Sequence, residues 1–316
     1  MNDILQTLLE KHQVRRSRRQ KDAFEAYIRQ QCQEAGYDLR GENHQNLLKS
    51  RNLIAGDPEK ARVIFTAHYD TCSEMLFPNL IYPQRKWLSI LAQMPTMLLL
   101  VGVTLGAGFL MGRVLDHRAA FFIAYALYWF FFLLIFFGPA NPHTANDNTS
   151  GVAALMGIMA RLPQELRSDA AFIFFDHEEM GKVGSKQYAK AHPGITEGKV
   201  LLNLDCVGDG QDFLIVAPKG ADERLTGLLR EAFQPEAGRQ IVHCSAENTN
   251  YNSDQKSFPN GVAVEASRKG RWGYHTSRIH TRRDVICEES NLDYLSRCAV
   301  KLARLVSHQS EGGNNP

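Results

Sequence analysis

The sequence predicts an α/β fold around a largely parallel central sheet, interrupted by an apolar two-helix hairpin. Three observations carry this expectation. Short apolar runs alternate with stretches of helical periodicity. One run, Ala170-Ala-Phe-Ile-Phe-Phe175, is apolar at every position, as a strand covered on both faces must be. Two segments, Leu88–Gly112 and Ala119–Ala140, hold 25 and 22 residues without a single Asp, Glu, Lys or Arg.

Helices are expected near Asp3–His12 and Ser17–Ala35. In the second, Phe24, Tyr27, Ile28 and Cys32 fall at i, i+3, i+4 and i+8. Strands Asn52–Ala55 and Val63–Ala67 are separated by a turn at Gly56–Pro58. Each uncharged segment is long enough to cross a ~30 Å hydrocarbon core, which takes about 20 residues. Arg113–Arg118 between them makes a short polar turn, so both ends of a membrane hairpin would lie on one side. A pair of buried core helices or a hydrophobic lid is the alternative. Gln93 and Pro95 interrupt the first segment, Gly102, Gly106 and Gly108 offer close helix packing, and the second carries ten aromatics between Phe121 and Phe137. Beyond the hairpin come a helix over Ser150–Leu162, capped by Thr149 or Ser150, and the Ala170–Phe175 strand. A helix over Ser185–Ala191, strands Lys199–Leu204 and Phe213–Ala217, a helix over Asp222–Phe233, the strand Gly261–Ala266 and a helix over Asn291–Ser307 complete the pattern. Residues 1–87 and 141–316 are thus expected to form one body, with residues 88–140 inserted into it.

The composition of the 316 residues is that of an ordinary globular chain, 44% hydrophobic and 22% charged. With 36 Lys+Arg against 34 Asp+Glu, the net charge of +2 lacks the basic excess of a nucleic-acid binder. The mean hydropathy of −0.29 conceals the hairpin by averaging it with a polar remainder. Asp3 and Glu10, with no apolar run behind them, exclude a secretory signal. Arg15-Arg-Ser-Arg-Arg19 reads as a solvated helix face, or alternatively as a polybasic patch against anionic headgroups, worth ~1 kcal/mol per basic residue. Six cysteines without a CxxC pair suggest neither a zinc knuckle nor a disulfide framework and fit a reducing compartment. The expected location is a membrane, with the body on the cytoplasmic side.

The chemistry gathers at strand ends, where open α/β sheets form their sites. His68-Tyr-Asp70 follows one strand, and a carboxylate two residues after a ligating His can fix its ring. Asp147 enters a helix, Asp176-His-Glu178-Glu179 follows the Ala170–Phe175 strand, Asp205 ends another, and His280 comes late. Adjacent buried carboxylates repel and need positive charge, which a metal supplies. His68, Asp147, Glu179, Asp205 and His280 are enough donors for two zinc ions sharing one carboxylate. Glu178 would be left free to act as a base.

These segments resemble the co-catalytic zinc aminopeptidases, the family that also holds glutamate carboxypeptidase-like enzymes and glutaminyl cyclases. The matching pieces are Asn52–Ala55, Phe65–Thr71 with His68 and Asp70, Ala145–Ala153 with Asp147, Glu178–Ser185, Asn203–Asp205, Ser253–Gln255 with Phe258, and His280–Thr281 with Asp284. They stand in family order from Asn52 to Asp284. The resemblance implies a three-layer zinc-exopeptidase-like fold and two zinc ions. It makes Asp147 the bridge, gives one zinc His68 and Asp205, and gives the other Glu179 and His280. It makes Glu178 the general base and Asp70 the partner of His68. His275-Thr276 competes with His280 but lacks an Asp three residues after its Thr. Gln255 departs from the His usual in the Ser-Asp-His segment, and the apolar hairpin stands where a short loop is usual.

The expected activity is therefore that of a membrane-anchored exopeptidase, most simply an aminopeptidase, acting on a peptide or amide substrate with a lipid bilayer around residues 88–140. A second reading is another amide hydrolase or a cyclase for hydrophobic or N-acylated substrates, motivated by an aromatic wall close to His68 and Asp147. A third, of a different class, is an inactive receptor or assembly module, whose mark would be lost metal ligands.

Overall fold

A computed structural model describes residues 2–75, 77 and 79–312. Two helices, α1 (Asn2–Lys11) and α2 (Arg18–Glu34), precede strands β1 (Leu39–Asn43), β2 (Arg51–Ala55) and β3 (Val63–His68). The hairpin helices α3 (Lys86–Met111) and α4 (His117–Phe137) follow, then α5 (Gly151–Arg161), β4 (Ala170–Phe175) and α6 (Val183–Ala191). The chain continues through β5 (Val200–Leu204), β6 (Asp212–Ala217), α7 (Glu223–Ala232), β7 (Ile241–Ser245), β8 (Gly261–Gly270), β9 (Gly273–His275) and α8 (Glu289–Gly312).

The strands form one sheet in the order β1-β2-β4-β3-β5-β8-β6-β7, with β9 beside β8. Its centre, β4-β3-β5-β8, is parallel, and β2 and β6 join it antiparallel. The parallel character thus lies where both faces are covered. Alternation along these strands makes two cores. Leu53, Phe65, Phe172, Phe174 and Leu202 face α1, α2, α5 and α8, whereas Ile54, Ile64, Ile173, Phe175 and Leu201 face Tyr188, Ile195 and Phe258. The result is a three-layer α/β/α arrangement.

The apolar-run criterion misses three strands. β1 is Leu-Arg-Gly-Glu-Asn with mostly exposed side chains, β7 is a half-buried edge, and β9 is three residues long. An edge strand held by backbone pairing needs no apolar signature. The expected cap by Thr149 or Ser150 is also corrected, because neither hydroxyl caps α5. Asn148 does it, its Oδ1 accepting from Gly151 N at 3.0 Å.

Arg15–Arg19 is not simply a solvated face or a headgroup patch. Arg15 is fully buried, with Nε donating to Tyr69 O at 2.5 Å and Nη1 to Thr149 Oγ1 at 3.0 Å. Desolvation lowers its pKa to about 10, against the pull of Asp70 and Asp147. Arg16 donates to Gly138 O at 2.5 Å and Phe136 O at 2.6 Å, so it satisfies carbonyls left open at the end of α4. Ser17 is the N-cap of α2 and forms a capping box with Gln20.

Helix α3 runs through Pro95, and Asp116 caps α4 by accepting from Arg118 N and Ala119 N. Of the three glycines expected to serve packing, only Gly108 does. A Cβ there would meet Ala124 Cβ at 3.0 Å, whereas at Gly102 and Gly106 it would meet open space. Only 6% of the apolar window of each helix is buried, so the reading as buried core helices is corrected. Both helices are long and apolar enough to cross a membrane.

Candidate metal centre

The parallel strands converge on one crevice at their carboxyl ends. His68 is the last residue of β3, Asp205 immediately follows β5, and Glu178 and Glu179 lie in the loop after β4. Asp147 comes from the irregular turn before α5, and His280 from the loop between β9 and α8. Asp147 stands between the two histidines: its Oδ1 is 3.2 Å from His68 Nε2 and its Oδ2 is 3.0 Å from His280 Nε2. His68 Nε2 is also 3.4 Å from Asp205 Oδ1, and His280 Nε2 is 3.3 Å from Glu179 Oε2. All five residues named from the sequence thus meet in one cluster. His275 lies apart, its ring 5.6 Å from that of Tyr82.

Backbone anchors hold these side chains. Asp70 accepts from Glu178 N at 2.9 Å and Glu179 N at 3.2 Å, and its Oδ1 lies 3.6 Å from His68 Nδ1. One carboxylate therefore positions both glutamates, while the main-chain O of Asp70, 3.2 Å from His68 Nδ1, holds the His68 ring. Asp284 does the same for the Asp147 turn, accepting from Asn146 N at 2.7 Å and Asp147 N at 3.0 Å. Asn148 ties that turn to β5 through Leu204 O at 3.0 Å. Sequence alone gives Asp284 and Asn148 no role, because a carboxylate or amide serving the backbone has no signature of spacing. Asp176, beside the glutamates, is instead neutralised by Lys21 Nζ at 2.5 Å.

Backbone strain concentrates here as well. Among the described residues five non-glycines have left-handed φ, and four of them, His177, Lys182, Cys206 and His280, flank or belong to the centre. Cys72 is an addition the sequence does not reveal: its thiol lies with Glu179 and His280 in a group of possible donors within 4.8 Å of one another. Its only signal is a place four residues after His68, which a search for CxxC passes over.

The electrostatics are those of a crowded ionic pocket. Burial pulls His280 down, but Glu179, Asp147 and Glu178 outweigh it and raise its pKa to about 10. Burial pushes Glu179 up to about 8 and drives Glu178 well above the usual carboxylate range. Desolvation would raise Asp147 too, but His280 and His68 hold it low.

Residues 115–306 match the family model described as peptidase family M28. The chain belongs to peptidase family M28. It is accordingly a zinc metallopeptidase. No curated protein sequence matches it. Among solved structures it is similar to Porphyromonas gingivalis glutaminyl cyclase, at 17% identity over 97% of this chain and 96% of that one, with a TM-score of 0.61. A Zn-dependent exopeptidase from Parabacteroides distasonis is 14% identical over 95% of each chain, with a TM-score of 0.57. The LapA aminopeptidase of Legionella pneumophila is 13% identical over 96% of this chain and 70% of that one, with a TM-score of 0.56. At these identities the likeness is one of fold.

The centre of this M28 peptidase fits zinc on its own geometry. Asp205 Oδ1 and Glu179 Oε1 are buried and make no hydrogen bond, although each belongs to a residue turned toward a histidine. Unpartnered carboxylate oxygens cost free energy that a cation removes. Imidazole and carboxylate donors are those zinc takes.

Proposed function

We propose that the chain is a membrane-anchored aminopeptidase with two zinc ions. In this reading Asp147 would be shared by the ions, His68 and Asp205 would help hold one, and Glu179 and His280 the other. The observation that carries it is Asp147 within 3.2 Å of both histidines, with Asp205 and Glu179 beyond them on either side. Zinc bound there would supply a water of pKa near ~7 and polarise the scissile carbonyl. Glu178 takes the proton of the attacking water and returns it to the leaving amine. Asp70 keeps Glu178 in place through the Glu178 amide and steadies His68.

Residues 1–87 and 141–316 form the catalytic domain in this reading, and residues 88–140 form a membrane hairpin. Its support is the exposed apolar surface of α3 and α4, with Leu105, Phe109, Phe121, Phe122 and Phe130 all facing outward. A cytoplasmic catalytic domain is supported by six cysteines that are all unpaired. The apolar substrate wall that motivated lipidic or N-acylated substrates finds less support. Most of the α4 aromatics are exposed; Phe136 lines the cavity over the metal centre, and Phe136 and Phe137 line a neighbouring one beside Glu179 and His280.

Glu178→Gln tests the mechanism. The variant should keep its zinc and lose about 10²–10⁴-fold in kcat on aminoacyl substrates. Undiminished hydrolysis would remove Glu178 as the base.

A further inference from the structure

The cavity over the metal centre, about 380 Å³, is lined by Asp147, Glu178, Glu179, Asp205 and His280, and also by Glu265, for which the mechanism has no use. Glu265 lies on β8. Val264 pairs with Leu204 of β5, so Glu265 stands one strand over from Asp205, at a spacing of about 5 Å. It is 1% exposed. Its Oε1 accepts from Thr276 Oγ1 at 2.6 Å, whereas Oε2 is buried with no hydrogen-bond partner. The fold has no need of this group, since an apolar side chain on a central strand would avoid the cost of burying a half-satisfied carboxylate. The amide residues Asn79, Gln93, Asn250 and Asn252 also line the cavity, beside the apolar Ile81, Phe136 and Ile279. Lys182, which lines it too, donates to Asn252 Oδ1 at 3.0 Å.

We infer that Glu265 is the specificity residue of this cavity and receives the cationic side chain of an N-terminal lysine or arginine of the peptide substrate. The inference rests on the aminopeptidase reading above. A substrate carbonyl held between His68 and His280 places the neighbouring side chain in this cavity. There an ammonium or guanidinium group meets Glu265 Oε2 in a charge-assisted hydrogen bond and donates its remaining protons to amide oxygens of the wall. A neutral side chain leaves the buried acceptor empty and forfeits that interaction.

Lysine and norleucine differ at the tip by the ammonium group, which makes them the discriminating pair. On the full chain, purified in detergent and loaded with zinc, lysyl and arginyl 4-nitroanilides should exceed norleucyl 4-nitroanilide in kcat/KM by on the order of 10²-fold. Glu265→Gln, with zinc content checked, should bring the lysyl-to-norleucyl ratio close to one. Equal rates for the wild-type chain, or an undiminished ratio in Glu265→Gln, would overturn the assignment while leaving the aminopeptidase standing. Failure to hydrolyse any aminoacyl anilide would overturn the aminopeptidase reading instead. Calorimetry with L-lysinamide and L-norleucinamide then decides Glu265 by itself: tighter lysinamide binding supports it, and equal binding overturns it.

Discussion

The metal centre and the hairpin are unfavourable in water for opposite reasons. At the centre, carboxylates crowd around two imidazoles, and Asp205 Oδ1 and Glu179 Oε1 are buried without hydrogen bonds. In the hairpin, aromatic and aliphatic side chains stand exposed along two helices that pack chiefly on each other. Crowded carboxylates whose oxygens lack hydrogen bonds call for a cation. Apolar surface of this extent calls for another apolar phase. The difference teaches that each region carries the imprint of a component outside the polypeptide, zinc in one and, on the reading proposed above, lipid in the other. The two meet at the ends of the hairpin, where Ser89, Gln93 and Phe136 line the cavity over the metals. The active site therefore lies at the level where the helices leave the body of the protein.

Three substitutions would break or sharpen this contrast. The largest effect is expected in the hairpin. Phe130→Lys, at an outward position near the middle of α4, should cost about 3 kcal/mol of membrane insertion. It should raise the fraction released by carbonate extraction without changing zinc content. Retention equal to wild type would show that this face does not meet lipid. Next comes Asp70→Ala, which removes the acceptor shared by Glu178 N and Glu179 N and the neighbour of His68. Zinc affinity should fall about 10–100-fold in chelator competition, with membrane retention unaltered. The smallest is Arg16→Ala, which frees the carbonyls of Phe136 and Gly138 where the two regions join. A loss of roughly 1 kcal/mol is expected, read as a Tm lowered by a few degrees in detergent.

The contrast also explains what the sequence makes legible. The central strands are apolar because both faces are covered, and the hairpin is apolar because lipid would surround it, so both announce themselves as runs. Four of the five ligand candidates can be found because they follow a strand or enter a helix, and His280, in a long loop, by family order alone. Asp284, Asn148 and Cys72 cannot be found that way. The first two act on backbone groups whose position only the fold defines, and Cys72 reaches Glu179 and His280 through a loop. Arg15 misleads for a related reason. In a run of basic residues nothing marks the one that turns inward to Tyr69 O and Thr149. β1 and β7 stay hidden because edge strands are specified by pairing rather than by burial.

Zinc stoichiometry tests the central claim most directly. Elemental analysis of the full chain purified in detergent should give two zinc ions per chain for the wild type. Asp205→Asn should retain the ion between Glu179 and His280, and Asp147→Ala, which removes the shared carboxylate, should retain neither. Two ions held by Asp147→Ala, or none held by the wild-type chain after zinc loading, would contradict a dinuclear centre bridged by Asp147.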